Sequence, residues 1–195
     1  MQFKKIIDSE LFDHQNVLRK VIEQLSGDIE AATILILDSL KKGGKVIIFG
    51  NGGSASDAQH FAGELIGRYK NNRPSLAAIS LNTDTSVLTC IANDFGYEDI
   101  FSRQIESLAN QNDIAIGIST GGTSKNVING LLSAKSRKCK TIGFSGKGGG
   151  SFEEICDLNI IAPSSSTAGI QEVHIVIIHL ICEILEEEFS KTVFV

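Results

Sequence analysis

His60 and Glu64 lie four residues apart in the run SASDAQHFAGEL, and Ser56 lies four residues before them. On a helix that spacing puts all three on one stripe, while Ala58, Phe61, Ala62 and Leu65 form the side turned to a core. An imidazole and a carboxylate so placed can meet one ligand or one ion, or can form a solvated i, i+4 ion pair worth a few tenths of a kcal/mol. Far along the chain, His179 stands in the apolar run from Ile175 to Leu185, with His174 nearby. A histidine there is either an acid or a hydrogen-bonded core residue. A glutamate and a histidine are residue types able to take up and give a proton in general acid–base chemistry.

Two glycine-rich stretches could hold the substrate of such chemistry. Gly50, Gly52 and Ala55 give a G-x-G-x-x-A spacing straight after the apolar run Val46 to Phe49, which suits a dinucleotide or a smaller phosphorylated ligand, since each needs a tight turn and the free N–H groups of a helix start. A dinucleotide site also needs an acidic residue about twenty positions on, at the end of the second strand. That strand ends at Ser80-Leu81-Asn82, and Asp84 lies beyond it. Around Lys147 the spacing and final hydroxyl of a nucleotide-triphosphate loop are missing. The stretch ISTGGTSKN, by contrast, sets Ser119, Thr120, Thr123 and Ser124 round two glycines at a helix start. Hydroxyls and helix N–H groups suit a phosphate monoester on a small molecule, although Ser124 as a plain helix cap reads equally well.

The elements that must position these residues follow from hydrophobic period. From Ile6 to Leu40 apolar residues recur at helical spacing, broken at Ser26-Gly27-Asp28 and ended by Gly43-Gly44, which reads as a helical hairpin. Five short apolar runs follow, Val46–Phe49, Leu76–Ser80, Ile114–Ile118, Thr141–Ser145 and Leu158–Ile161, most with a helical stretch after them. Such alternation predicts an α/β fold with a parallel sheet covered on both sides, in one domain over residues 1–195. Both glycine-rich loops then fall at the carboxyl ends of parallel strands, where open α/β sheets bind ligands. The last helix, about Thr167 to Glu188, is apolar nearly all round, which predicts burial between subunits.

Lys and Arg total 18 against 23 Asp and Glu, a formal charge of −5 with no basic block, so a nucleic-acid partner is not expected. Cys90, Cys139, Cys156 and Cys182 lie far apart and read as reduced packing residues. The start lacks a long apolar segment, and His174, His179 and Glu183 interrupt the most apolar stretch; a cytoplasmic protein without a membrane span is expected.

Taken together, GNGGSASDAQHFAGEL, NTDTSVLTCIANDFGYEDIFSRQ, GISTGGTSKNV and STAGIQEVHIVIIHLICEIL resemble the phosphoheptose isomerases of the sugar isomerase (SIS) domain superfamily, over almost the whole chain. The resemblance implies a three-layer, flavodoxin-like sandwich on a five-stranded parallel sheet, assembled as a homotetramer. It implies conversion of the ketose sedoheptulose 7-phosphate to glycero-manno-heptose 7-phosphate, the first step towards activated heptose for bacterial lipopolysaccharide or capsule. Carried over by position, Glu64 becomes the general base and His179 the general acid, and His60, Glu64, Gln171 and His179 match zinc ligands; no nucleotide cofactor is implied. Substrate contacts fall on Asn51, Gly52, Gly53, Glu64, Asn93, Asp94, Ser119, Thr120, Gly121, Ser124 and Gln171, with Ser54 also at the phosphate. Three positions depart from the family pattern: Gly121 replaces a usual serine, Thr123 a usual asparagine and Gly169 a usual arginine. A rival on the same fold is a non-enzymatic tetramer that binds a replication initiator, which would have no need for His60, Glu64, Gln171 and His179 together.

Overall fold

The computed structural model of the chain describes residues 2–191. Five strands, β1 (Val46–Gly50), β2 (Ala78–Ser80), β3 (Ile114–Ile118), β4 (Lys140–Gly146) and β5 (Leu158–Ala162), pair in parallel in the order β2-β1-β3-β4-β5. Each coincides to within two or three residues with one of the five apolar runs. Both β1 and β3 are buried along their whole length, and the period of two in a strand divides their side chains between the faces.

On one face Val46, Ile48, Ile114, Ile116, Ile118, Ile142 and Phe144 pack under α2 (Ser26–Lys41), α3 (Gly53–Ile66) and α8 (Thr167–Ser190). On the other, Ile47, Phe49 and Ala115 meet α4 (Thr85–Asp94), α5 (Ser102–Leu108), α6 (Lys125–Ser136) and the short α7 (Phe152–Ile155). The result is the expected three-layer α/β sandwich. Asp84, too late in sequence to serve a ribose, caps α4 instead and accepts the Val87 N–H at 3.0 Å.

The two N-terminal helices are present as expected, but their joint lies just before the break read at Ser26-Gly27-Asp28. α1 (Gln2–Gln24) meets α2 through the single residue Leu25, itself helical at φ −112°, ψ −5°. Backbone bonds Leu25 N–H to Val21 and Ile29 N–H to Leu25 continue the helical pattern across the joint, and one residue is less than the two-to-five-residue loop of an αα-hairpin. Ser26, Gly27 and Asp28 are not a loop but the first turn of α2. α1 buries only Val21 and leaves Phe3, Ile7, Leu11 and Leu18 exposed. By length and composition α8 could cross a membrane, yet half of its apolar window is buried in the molecule, as suits the core helix of a sandwich.

Candidate active site

The strand order reverses direction between β1 and β3, and in open α/β sheets the crevice beyond the carboxyl ends of those two strands is where ligands bind. GNGGS leaves β1 there and ISTGGTS leaves β3. Gly52 has φ +58°, a left-handed conformation that glycine adopts without a Cβ clash, and it aims the chain into α3. At Gly53 a Cβ would come within 2.2 Å of Gln171 Nε2, so the missing side chain admits the α8 carboxamide to the start of α3. Across the crevice, Ser119 is buried and its Oγ lies 3.0 Å from Ser124 Oγ, two hydroxyls side by side at the start of α6. Beside them Gly121 has room for a side chain, its nearest neighbour to a built Cβ being Thr123 Oγ1 at 3.4 Å.

On α3 the core stripe is as expected: Ala58, Phe61, Ala62 and Leu65 are buried. His60 and Glu64 share the other stripe, with His60 Nε2 3.2 Å from Glu64 Oε1. α8 brings His179 to the same place, its Nε2 3.2 Å from that of His60. The sequence-distant pair is thus assembled by packing of α3 against α8. Tyr69 lays its ring 5.5 Å from that of His179. The turn that carries it is held by Glu186, whose carboxylate accepts the backbone N–H groups of Tyr69, Lys70 and Asn71 at 2.6–3.1 Å. Burial pushes the Glu186 carboxyl upward, but those N–H groups and Arg73 outweigh it and hold it below the usual range.

His174 has a different surrounding. It is fully buried, with Nε2 2.9 Å from the Ser145 carbonyl oxygen, and burial lowers its pKa to about 4. It is a core histidine, not a site group. An open cleft of about 320 Å³ lies between α3 and α8, lined by Ser56, Asp57, His60 and Gln171 among others. Burial raises Asp57 to about 6, against a smaller opposing pull from His60. A larger cavity of about 510 Å³, lined by residues 109–112 and 136–138, opens before β3 and β4, at the opposite end of the strands from both glycine-rich loops.

Asn93 and Asp94 end α4, and the Asn93 Nδ2 donates to Asp94 Oδ1 at 2.7 Å. Among the described residues neither side chain has a hydrogen bond or ion pair to another expected site residue outside the segment; the segment is joined to them by Tyr97, whose hydroxyl donates to Asn51 Oδ1 at 3.0 Å. Asn51 also exchanges two hydrogen bonds with Asn126 of α6, at 2.8 and 3.0 Å. Tyr69, Tyr97, Asn126 and Asp57 were not among the residues singled out from sequence. Asn126, two residues after Ser124, reads in sequence as an ordinary polar residue of a helix start.

The chain is thus an α/β sandwich with two glycine-rich loops at its switch point and with His60 paired both to Glu64 and to His179 between α3 and α8. The family model described as SIS domain matches residues 12–146, and the chain belongs to that family, within it to the phosphoheptose isomerases. A phosphoheptose isomerase of Aliarcobacter butzleri is 50% identical over 96% of this chain and 99% of its own length. One from Campylobacter jejuni is 52% identical over 94% and 98%. The solved structure of a phosphoheptose isomerase from Francisella tularensis superposes with a TM-score of 0.92 at 32% identity, covering 96% of this chain and all of that one.

Proposed function

We propose that this chain is an aldose–ketose isomerase that converts sedoheptulose 7-phosphate to the glycero-manno-heptose 7-phosphate through an enediol. The observation that carries the reading is the meeting of Glu64, His60 and His179 from two distant helices, beside two hydroxyl-bearing loops at the sheet's switch point, in a chain half identical to phosphoheptose isomerases along its whole length.

Glu64 takes the proton from C1 of the ketose, the C–H electron pair becomes the C1–C2 double bond, and His179 gives a proton to the C2 oxygen. The enediol then gives its O1 proton to the now neutral His179 as C2 takes one back from Glu64, which leaves the aldehyde at C1 and both side chains as they began. Glu64 is half-buried, with 24% of its side chain exposed, and keeps both contact with solvent and a partner in His60. Ser119, Thr120 and Ser124 hold the phosphate by hydroxyl and N–H donors. With Gly121 in place of serine the loop has one hydroxyl fewer, which leaves the proton chemistry unaltered and shifts the burden of anchoring to Ser119 and Ser124.

On the same reading His60, Glu64, Gln171 and His179 would be the ligands of a zinc ion, of which His60, Glu64 and His179 lie in two hydrogen-bonded pairs. A tetrahedral site with bonds of about 2.0–2.1 Å separates its ligand atoms by about 3.3 Å, and His60 Nε2 stands 3.2 Å from both Glu64 Oε1 and His179 Nε2. Among the described residues no group of three or more His, Cys, Asp or Glu side chains is placed to hold a metal ion; His60 is the shared member of two pairs, and Gln171 lies against Gly53. Bound there, zinc would polarise the C1 and C2 oxygens as a Lewis acid. The same reading makes the protein a cytoplasmic homotetramer, supported by the apolar stripe left exposed on α1 and by Leu180 and Ile184 on α8. Incubating the purified protein with sedoheptulose 7-phosphate and following the aldose by NMR tests the reaction; no aldose formed at any metal content would refute it.

A further inference from the structure

The carboxamide of Asn51 is held by three hydrogen bonds whose directions can be fixed from one backbone group. Val127 N–H, which can only donate, points at Asn126 Oδ1 at 2.9 Å, so that atom is the oxygen and the other terminal atom of Asn126 is the NH₂. Asn126 Oδ1 therefore takes Asn51 Nδ2–H at 2.8 Å, and Asn126 Nδ2 donates back to Asn51 Oδ1 at 3.0 Å. The Tyr97 hydroxyl donates to the same Asn51 oxygen at 3.0 Å. Both lone pairs of that oxygen are then in use, and a single Nδ2–H is left over.

This changes what Asn51 can offer a ligand. Unconstrained, a carboxamide presents a donor or an acceptor by turning over; here it presents one N–H donor only. Asn126 is 4% exposed and sits in the first turn of α6, directly after the Ser119–Ser124 loop. Tyr97 follows Asn93 and Asp94. The three segments that carry the expected substrate contacts are thus joined through one amide group.

We propose that Asn126 is a positioning residue for substrate recognition: acting through Asn51, it fixes that side chain as a donor to an oxygen acceptor of the sugar phosphate, with the Tyr97 hydroxyl as second fastening. The proposal rests on the reading of Asn51 as a substrate contact. Asn126→Asp keeps the shape and still accepts from Val127, but it places a carboxylate oxygen against Asn51 Oδ1 where a donor stood.

Steady-state kinetics with sedoheptulose 7-phosphate on the full chain test it, using Asn126→Asp, Asn51→Ala, the double variant and Tyr97→Phe. KM should rise about tenfold in Asn126→Asp and about equally in Asn51→Ala, with kcat within about twofold of the parent, as for loss of a contact made alike in ground and transition states. The double variant should lose no more than Asn51→Ala alone, because a residue acting through Asn51 has nothing left to act on. Tyr97→Phe should raise KM by about threefold, and this too should vanish in the Asn51→Ala background. Losses that multiply in the double variants, or an unchanged KM in Asn126→Asp beside a raised one in Asn51→Ala, overturn the proposal while the substrate reading stands. An unchanged KM in Asn51→Ala overturns both, and a parent that forms no aldose rejects the reaction itself. Should Asn126→Asp fail to fold, Tyr97→Phe and its double variant with Asn51→Ala decide by the same criteria.

Discussion

Glu64 is asked to carry a proton from one carbon to the next, and a half-buried carboxyl exchanges that proton with water between the two events. Reaction in heavy water should therefore place deuterium at C2 of the aldose, read by NMR. Glu64→Gln, nearly equal in shape but unable to act as base, should lose about a hundredfold or more in turnover; near-normal activity and no solvent deuterium would mean direct hydride transfer. Ser119→Ala and Ser124→Ala should each weaken binding of the phosphorylated sugar by about 1.5–3 kcal/mol in calorimetry, the worth of a hydrogen bond to a charged group. Since each hydroxyl is 3.0 Å from the other, the two losses should not add when combined. Zinc content by elemental analysis should be near one ion per chain in the parent and should fall in both His60→Ala and His179→Ala; equal content in all three would remove the ion from this site.

At the scale of elements, β-runs and the α3 stripe were plain in the sequence because each depends on a local period: two along a strand, 3.6 along a helix. The joint at Leu25 was misplaced because Ser26-Gly27-Asp28 has the composition of a turn, while the same small polar residues are equally good in the first turn of a helix. Residues whose role depends on distant partners left no such signal. Asn126 finds Asn51 across 75 positions and Glu186 finds residues 69–71 across more than a hundred; in sequence Glu186 is one of three consecutive glutamates at a helix end. By residue type His174 and His179 look alike on one helix; the family motif singles out His179, and packing buries His174 against the Ser145 carbonyl. The difference is measurable. The unfolded chain protonates His174 near pH 6.5 and the folded chain only near pH 4, so the unfolded state binds more protons between those values and stability should fall as pH drops through that window, by at most about 3 kcal/mol. Urea unfolding followed against pH should show the decline, and His174→Gln should flatten it.

For the whole molecule, α1 buries only Val21 and exposes Phe3, Ile6, Ile7, Leu11, Phe12, Leu18 and Ile22, of which positions 3, 7, 11, 18 and 22 share one helical stripe. A partner copy would cover it. Light scattering should give a mass near four times the 20.9 kDa of one chain, and Leu11→Glu with Leu18→Glu should lower it; a monomeric parent would refute the tetramer. Finally, the proposed reacting groups are borne by α3 and α8, whose opposite stripes, from Phe61 and Leu65 to Ile177 and Leu185, lie in the main core. The helices that carry His60 and His179 are held together by that core, so their backbones cannot separate unless it comes apart. On heating, activity and near-ultraviolet circular dichroism should therefore vanish together along one curve, and amide groups of α3 and α8 should exchange with solvent only by global unfolding.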